Sequence, residues 1–106
     1  MASRVTFSID SASVPLLPDV IDLIKQGMLT RGDKNNREYV GDSIHFNENV
    51  SVEMQSALFD PQTSGGLLIS LEADNASAFL ERVPNSRSIG HDVSAYSAAR
   101  LSLARR

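Results

Sequence analysis

The feature that most constrains the fold is the run Gly66-Leu67-Leu68-Ile69-Ser70-Leu71, entered through the glycine pair Gly65-Gly66. It has strand length and is nearly continuous in apolar residues, the pattern of a central strand covered on both faces. A period-two segment opens the chain: Val5, Phe7 and Ile9 alternate with Thr6, Ser8 and Asp10, which predicts a half-buried strand. Leu17, Val20, Ile21, Ile24 and Met28 then fall at helical spacing. Pro18 stands near the first turn and Gly27 near the end, so a helix is expected over Pro18–Gln26.

Leu29–Phe46 carries no sustained helical period, and Thr30–Arg37 reads as a long polar loop, of the kind that in a small domain is functional or partner-covered. Ser43-Ile44-His45-Phe46 reads as a short strand. Asn49 or Ser51 then caps a short helix with Val50, Met54, Ala57 and Leu58 as its apolar set, stopped by Pro61. After the apolar run, Asp74 or Asn75 caps a helix whose face is Ala76, Phe79, Leu80 and Val83, closed by Pro84-Asn85. Ser88–Val93 and Ala99–Ala104 read as two more strands, the second with Leu101 and Leu103 on one face, with a helix over Ser94–Leu103 as the alternative. This order predicts an α/β (α+β) fold, with helices packed on a mixed β-sheet in a single-domain sandwich spanning residues 1–106.

Composition bounds the function. At 106 residues there is room for one domain and none for a separate cofactor domain. With 42% hydrophobic and 22% charged residues the chain has the makings of a folded core. The absence of cysteine excludes disulfides, thiolate zinc sites and a cysteine nucleophile. No apolar stretch nears the roughly 18–20 residues of a membrane span, so a cytoplasmic protein without a membrane partner is expected. A net charge of −3 gives no basic footprint for nucleic acid, and Arg100, Arg105 and Arg106 read as a solvated tail. Neither a G-x-x-x-x-G-K-[ST] loop nor G-x-G-x-x-G is present, so no self-contained nucleotide site is written here. His45 and His91 stand alone, and Asp60 and Asp92 are single carboxylates better read as turn formers or caps, so no metal ligand and no catalytic residue is assigned.

The densest chemical signal is Asp60-Pro61-Gln62-Thr63-Ser64-Gly65-Gly66-Leu67-Leu68-Ile69: a helix stop, small hydroxyl and glycine residues, then a strand. Paired glycines let another group approach the main chain, and successive amides in such a turn form an anion-binding nest to which the Thr63 and Ser64 hydroxyls add donors. The same glycines equally serve a tight turn into a crowded strand. The phosphate-facing candidates are Gln62, Thr63, Ser64, Gly65 and Gly66, joined by Asn35, Asn36 and Arg37 of the polar loop, with Asp60 fixing the loop.

This ten-residue tract resembles the C-terminal-domain signature of selenophosphate synthetase, also called selenide, water dikinase, within the aminoimidazole ribonucleotide synthetase-like group. Gly32-Asp33-Lys34-Asn35-Asn36-Arg37-Glu38-Tyr39-Val40 resembles the same family's polar loop, and the resemblance runs to about Val93. It implies ATP-dependent synthesis of selenophosphate from selenide, with AMP and phosphate as the other products, magnesium as cofactor, and a homodimer as the working form. The family's catalytic cysteine or selenocysteine and its lysine belong to a glycine-rich N-terminal segment that this sequence does not show. Lys25 and Lys34 do not match that lysine. The resemblance therefore implies a C-terminal domain that forms part of an active-site cleft, binds no cofactor alone and is inactive without the N-terminal ATP-binding domain. A stand-alone, non-catalytic binding or regulatory module of the same fold is the alternative, and an unrelated sugar- or nucleotide-phosphate binder using the Gly65-Gly66 turn is a third reading.

Overall fold

A computed structural model describes residues 5–62, 65–93 and, as backbone, 99–104. The chain falls into two compact units, Leu16–Thr63 and Met1–Pro15 with Ser64–Arg106.

The first unit is helical: α1 is Val20–Lys25, α2 Arg31–Val40 and α3 Val52–Phe59, with α1 and α2 each packed on α3. α1 starts two residues later than its apolar spacing predicts, because Asp19 lies in the left-handed region at φ 65° and takes Pro18 out of the helix. Its end carries a Schellman turn. Gly27 adopts φ 83°, its N–H donates to Ile24 O at 2.9 Å, and the Met28 N–H donates to Leu23 O at 3.1 Å.

The polar segment expected as a loop is α2. Thr30 caps it, its hydroxyl accepting the Asp33 N–H at 3.3 Å, and Gly41 follows its last residue. With few apolar positions, the helix is supported by Asp33–Arg37 at 2.9 Å and Lys34–Glu38 at 3.8 Å, both at i,i+4. Ser43–Phe46, expected as a strand, forms none. A 3₁₀ turn occupies Gly41–Ser43, and the described residues of this unit hold no strand for residues 44–46 to pair with. α3 agrees with its pattern, Ser51 Oγ accepting the Met54 N–H at 3.1 Å.

The second unit holds the sheet: β1 (Phe7–Ile9), β2 (Leu67–Glu72), β3 (Ser86–Asp92) and β4 (Ala99–Ala104), in the order β1-β3-β4-β2, with α4 (Ala73–Arg82) packed on β2, β3 and β4. The α+β class is the expected one, but every pairing is antiparallel rather than mixed. β3 and β4 are joined by a connection too short for a parallel crossover, and β4 then returns alongside β2. The Leu67–Leu71 run is consequently an edge strand, not a central one, and Leu67 and Leu68 are well over half exposed. β1 forms the other edge with all three residues exposed, where a half-buried strand was expected. α4 starts directly after β2 with no side-chain cap. Asp74 lies within its first turn, where a carboxylate favours the helix dipole, rather than at the cap. Ala76 of α4 and Ile89 of β3 are buried, flanked by half-buried Phe79, Leu80 and Val83 on the expected face. The side chains of Leu101 and Leu103 and the segment 94–98 lie outside the described residues.

Gly90 marks the tightest approach in this unit. It pairs with Ile9 beside a register shift between Ser88 and Gly90, and a Cβ there would run into the Ser8 carbonyl oxygen and stand 3.0 Å from Ile9 Cα. Gly90→Ala is expected to cost about 2 kcal/mol through overpacking against backbone. The loss should be local. Hydrogen exchange of the Asp10 amide, bonded to Ile89 O at 2.8 Å, and of the Val93 amide, bonded to Thr6 O at 3.0 Å, should accelerate first. Unchanged protection at both amides would show that β1 yields without strain.

Candidate functional site

The helical unit brings the polar segment against the start of the glycine-rich tract. α3 ends at Phe59, and the next three residues, Asp60-Pro61-Gln62, begin the glycine-rich tract. Three consecutive residues, Phe59, Asp60 and Pro61, are each held from α2 or its cap. Asn36 Nδ2 donates to Phe59 O at 2.6 Å, and the Arg37 guanidinium lies over the Phe59 ring, 4.7 Å from its centroid. Thr30 Oγ1 donates to Asp60 Oδ1 at 3.0 Å. Gly32 has no side chain where one would collide with Pro61, the Cβ position lying 2.5 Å from its Cγ. Gly32 and Asn36 stand four residues apart and Arg37 adjoins Asn36, so one side of α2, with its cap Thr30, makes these contacts.

Beneath this seam is a small polar network. Arg37 Nε donates to Asp33 Oδ1 at 2.9 Å and its Nη2 donates to Ser56 Oγ at 2.9 Å. Asp33 and Ser56 are buried, whereas about a third of the Arg37 side chain reaches solvent. Phe59 is buried as well and meets Phe46 edge to face, with centroids 5.7 Å apart and planes at 74°. At the surface, Asp60 Oδ2 accepts from Gln62 Nε2 at 2.5 Å, so both carboxylate oxygens are engaged. A carboxylate only accepts, which makes the amide nitrogen of Gln62 the atom turned toward it.

Of the residues singled out in the sequence, Asn36 and Arg37 spend their polar groups on Phe59, Asp33 and Ser56, and Asn35 is exposed on α2. Asp60 is half-buried between Thr30 and Gln62, while Gln62 is exposed. Gly65 is half-buried, Gly66 exposed, and Thr63 and Ser64 lie outside the described residues. His45 and His91 are exposed, and Asp92 is buried in β3. Among the described residues no group of three His, Cys, Asp or Glu is arranged to hold a metal ion. No helix among them is long and apolar enough to cross a membrane. Thr30, Gly32, Ser56 and Phe59 were not among the site residues expected from the sequence. The detectable signal was Thr30-x-x-Asp33 followed by charges at i,i+4, a capped polar helix rather than a loop.

No protein-family model matches the chain, and no solved structure matches it significantly. Curated relatives do. A selenide, water dikinase of Clostridium botulinum (strain Eklund 17B / Type B) is 42% identical over 83 residues, 78% of this chain and 24% of the relative. One of Treponema denticola is 44% identical over 81 residues, 76% and 23%. One of Citrifermentans bemidjiense is 42% identical over 82 residues, 77% and 23%. All three carry a dikinase name, which defines a class of kinase-type enzyme. Over about three-quarters of its length the chain is similar to selenide, water dikinases, and it spans about a quarter of the length of the curated relatives it matches.

Proposed function

We propose that the chain is the C-terminal domain of an ATP-dependent selenide, water dikinase that makes selenophosphate, with AMP and phosphate as the other products. The observation that carries this reading is 42–44% identity to enzymes of that name over about three-quarters of the chain. In such a reaction catalysis rests on positioning the phosphoryl groups and neutralising their charge, with little covalent work for the protein. The share of this domain is one wall of the cleft, with Gln62–Gly66 and Asn35 facing the substrates and Asn36 and Arg37 bracing α2 on α3. Magnesium would be held mainly by residues of the rest of the enzyme. The working enzyme is a cytoplasmic homodimer that contains an N-terminal ATP-binding domain, and this domain alone is inactive.

Turnover of ATP to AMP with selenide and magnesium tests the reading. The isolated chain should show none, and the chain joined to the rest of the Treponema denticola relative, in place of the matched stretch, should be active. In that chimera Gly66→Val, which blocks close approach to the main chain, should lower kcat/KM at least tenfold. Robust turnover by the isolated chain, or an inactive but folded chimera, would overturn the proposal. Full activity of Gly66→Val would remove the glycine turn from the cleft.

A further inference from the structure

We infer that Thr30 is a positioning residue: it holds the Asp60 carboxylate, and through it the Gln62 amide, in the orientation that the turn presents to its ligand. This rests on the reading of the turn as ligand-facing. The chain of contacts is short and complete. The Thr30 hydroxyl accepts the Asp33 N–H at 3.3 Å and donates to Asp60 Oδ1 at 3.0 Å, and Asp60 Oδ2 accepts from Gln62 Nε2 at 2.5 Å. One hydroxyl therefore starts α2 and also orients the first side chain of the glycine-rich tract.

Two consequences follow from the chemistry. First, with one Nε2 hydrogen given to Asp60, the Gln62 amide keeps a second N–H and its carbonyl oxygen, an acceptor, for a ligand. Second, the neighbouring Asp60 charge disfavours an anion at the same spot. Gln62 is thereby suited to a ligand group that donates, such as a hydroxyl or amine. Thr30 touches no ligand in this arrangement and acts only through Asp60.

The side-chain amide of Gln62, followed by NMR in the 106-residue chain, reports the geometry. Thr30→Val, which removes the hydroxyl at nearly constant shape, should shift the two Gln62 amide protons, and Thr30→Ser should return them. Asp60→Asn should shift them while the Asp33 amide keeps its Thr30 contact, separating orientation of Gln62 from capping of α2. In the Treponema denticola chimera, Thr30→Val and Asp60→Asn should each lower kcat about fivefold, the factor that corresponds to one lost hydrogen bond. Thr30→Ser should restore it. If the Gln62 protons stay in place in Thr30→Val or in Asp60→Asn, the inference fails whatever the turnover does. If they move as expected while the chimera keeps full turnover, Thr30 still orients Gln62, and the ligand-facing reading of the turn is what falls.

Discussion

Phe59→Ala is expected to lower stability by about 3–5 kcal/mol, the range for removing a large aromatic side chain from a packed site. The Phe59 ring is buried, meets Phe46 edge to face and carries the Arg37 guanidinium over its surface, so one truncation removes three kinds of contact at once. In a chain of this size each kcal/mol corresponds to about 4–8 °C, so thermal unfolding followed by circular dichroism should move down by about 15 °C or more. Phe59→Leu keeps most of the volume and should lose about 1.5 kcal/mol. Because the backbone carbonyl that receives the Asn36 amide survives both changes, the difference between the two variants reads the ring itself. A loss under about 1 kcal/mol for Phe59→Ala would mean that the seam between α2 and α3 is held by its polar contacts alone.

Arg37→Ala should cost about 3 kcal/mol, the lower end of the range for removing one partner from a buried ion pair, because a third of the arginine side chain is already in water. The mechanism is specific. Truncation leaves the Asp33 carboxylate buried and without its cation, removes the donor to Ser56 Oγ and uncovers the Phe59 ring. If the stranded charge is the main cost, Asp33→Asn in the Arg37→Ala background should recover about 1 kcal/mol in urea denaturation, since the neutral amide is cheaper to leave buried. Arg37→Lys should fall between wild type and Ala: it keeps a charge near Asp33 but lacks the fork that reaches Ser56 and the flat surface that stacks on Phe59. A double variant no more stable than Arg37→Ala alone would move the cost from charge burial to packing.

These same residues show what was readable in the amino-acid order. α3 and α4 could be read because their apolar residues repeat at helical spacing, and β2 because a short apolar run follows a glycine pair. α2 was hidden because its stabilising contacts are polar: a threonine cap, two i,i+4 ion pairs and hydrogen bonds to α3, none of which appears in a search for hydrophobic period. The run at Leu67–Leu71 was readable as a strand, but its place at the sheet edge was not, because the number of neighbours a strand acquires is decided by where β4 returns. The candidate tract was visible as chemistry. Its bracing was not: Thr30 and Asp60, Asn36 and Phe59, and Gly32 and Pro61 meet only once α2 lies on α3.

The fit of Gly32 against Pro61 has a consequence for how such sequences drift. With a Cβ position 2.5 Å from the proline ring, any side chain at residue 32 first requires the ring to move or disappear. Substitution at residue 61 to something smaller and more pliant opens that route, whereas a mutation at residue 32 arising first meets the ring in place. The two positions, 29 apart in the chain, are therefore sterically coupled, and the order in which they change decides whether strain arises.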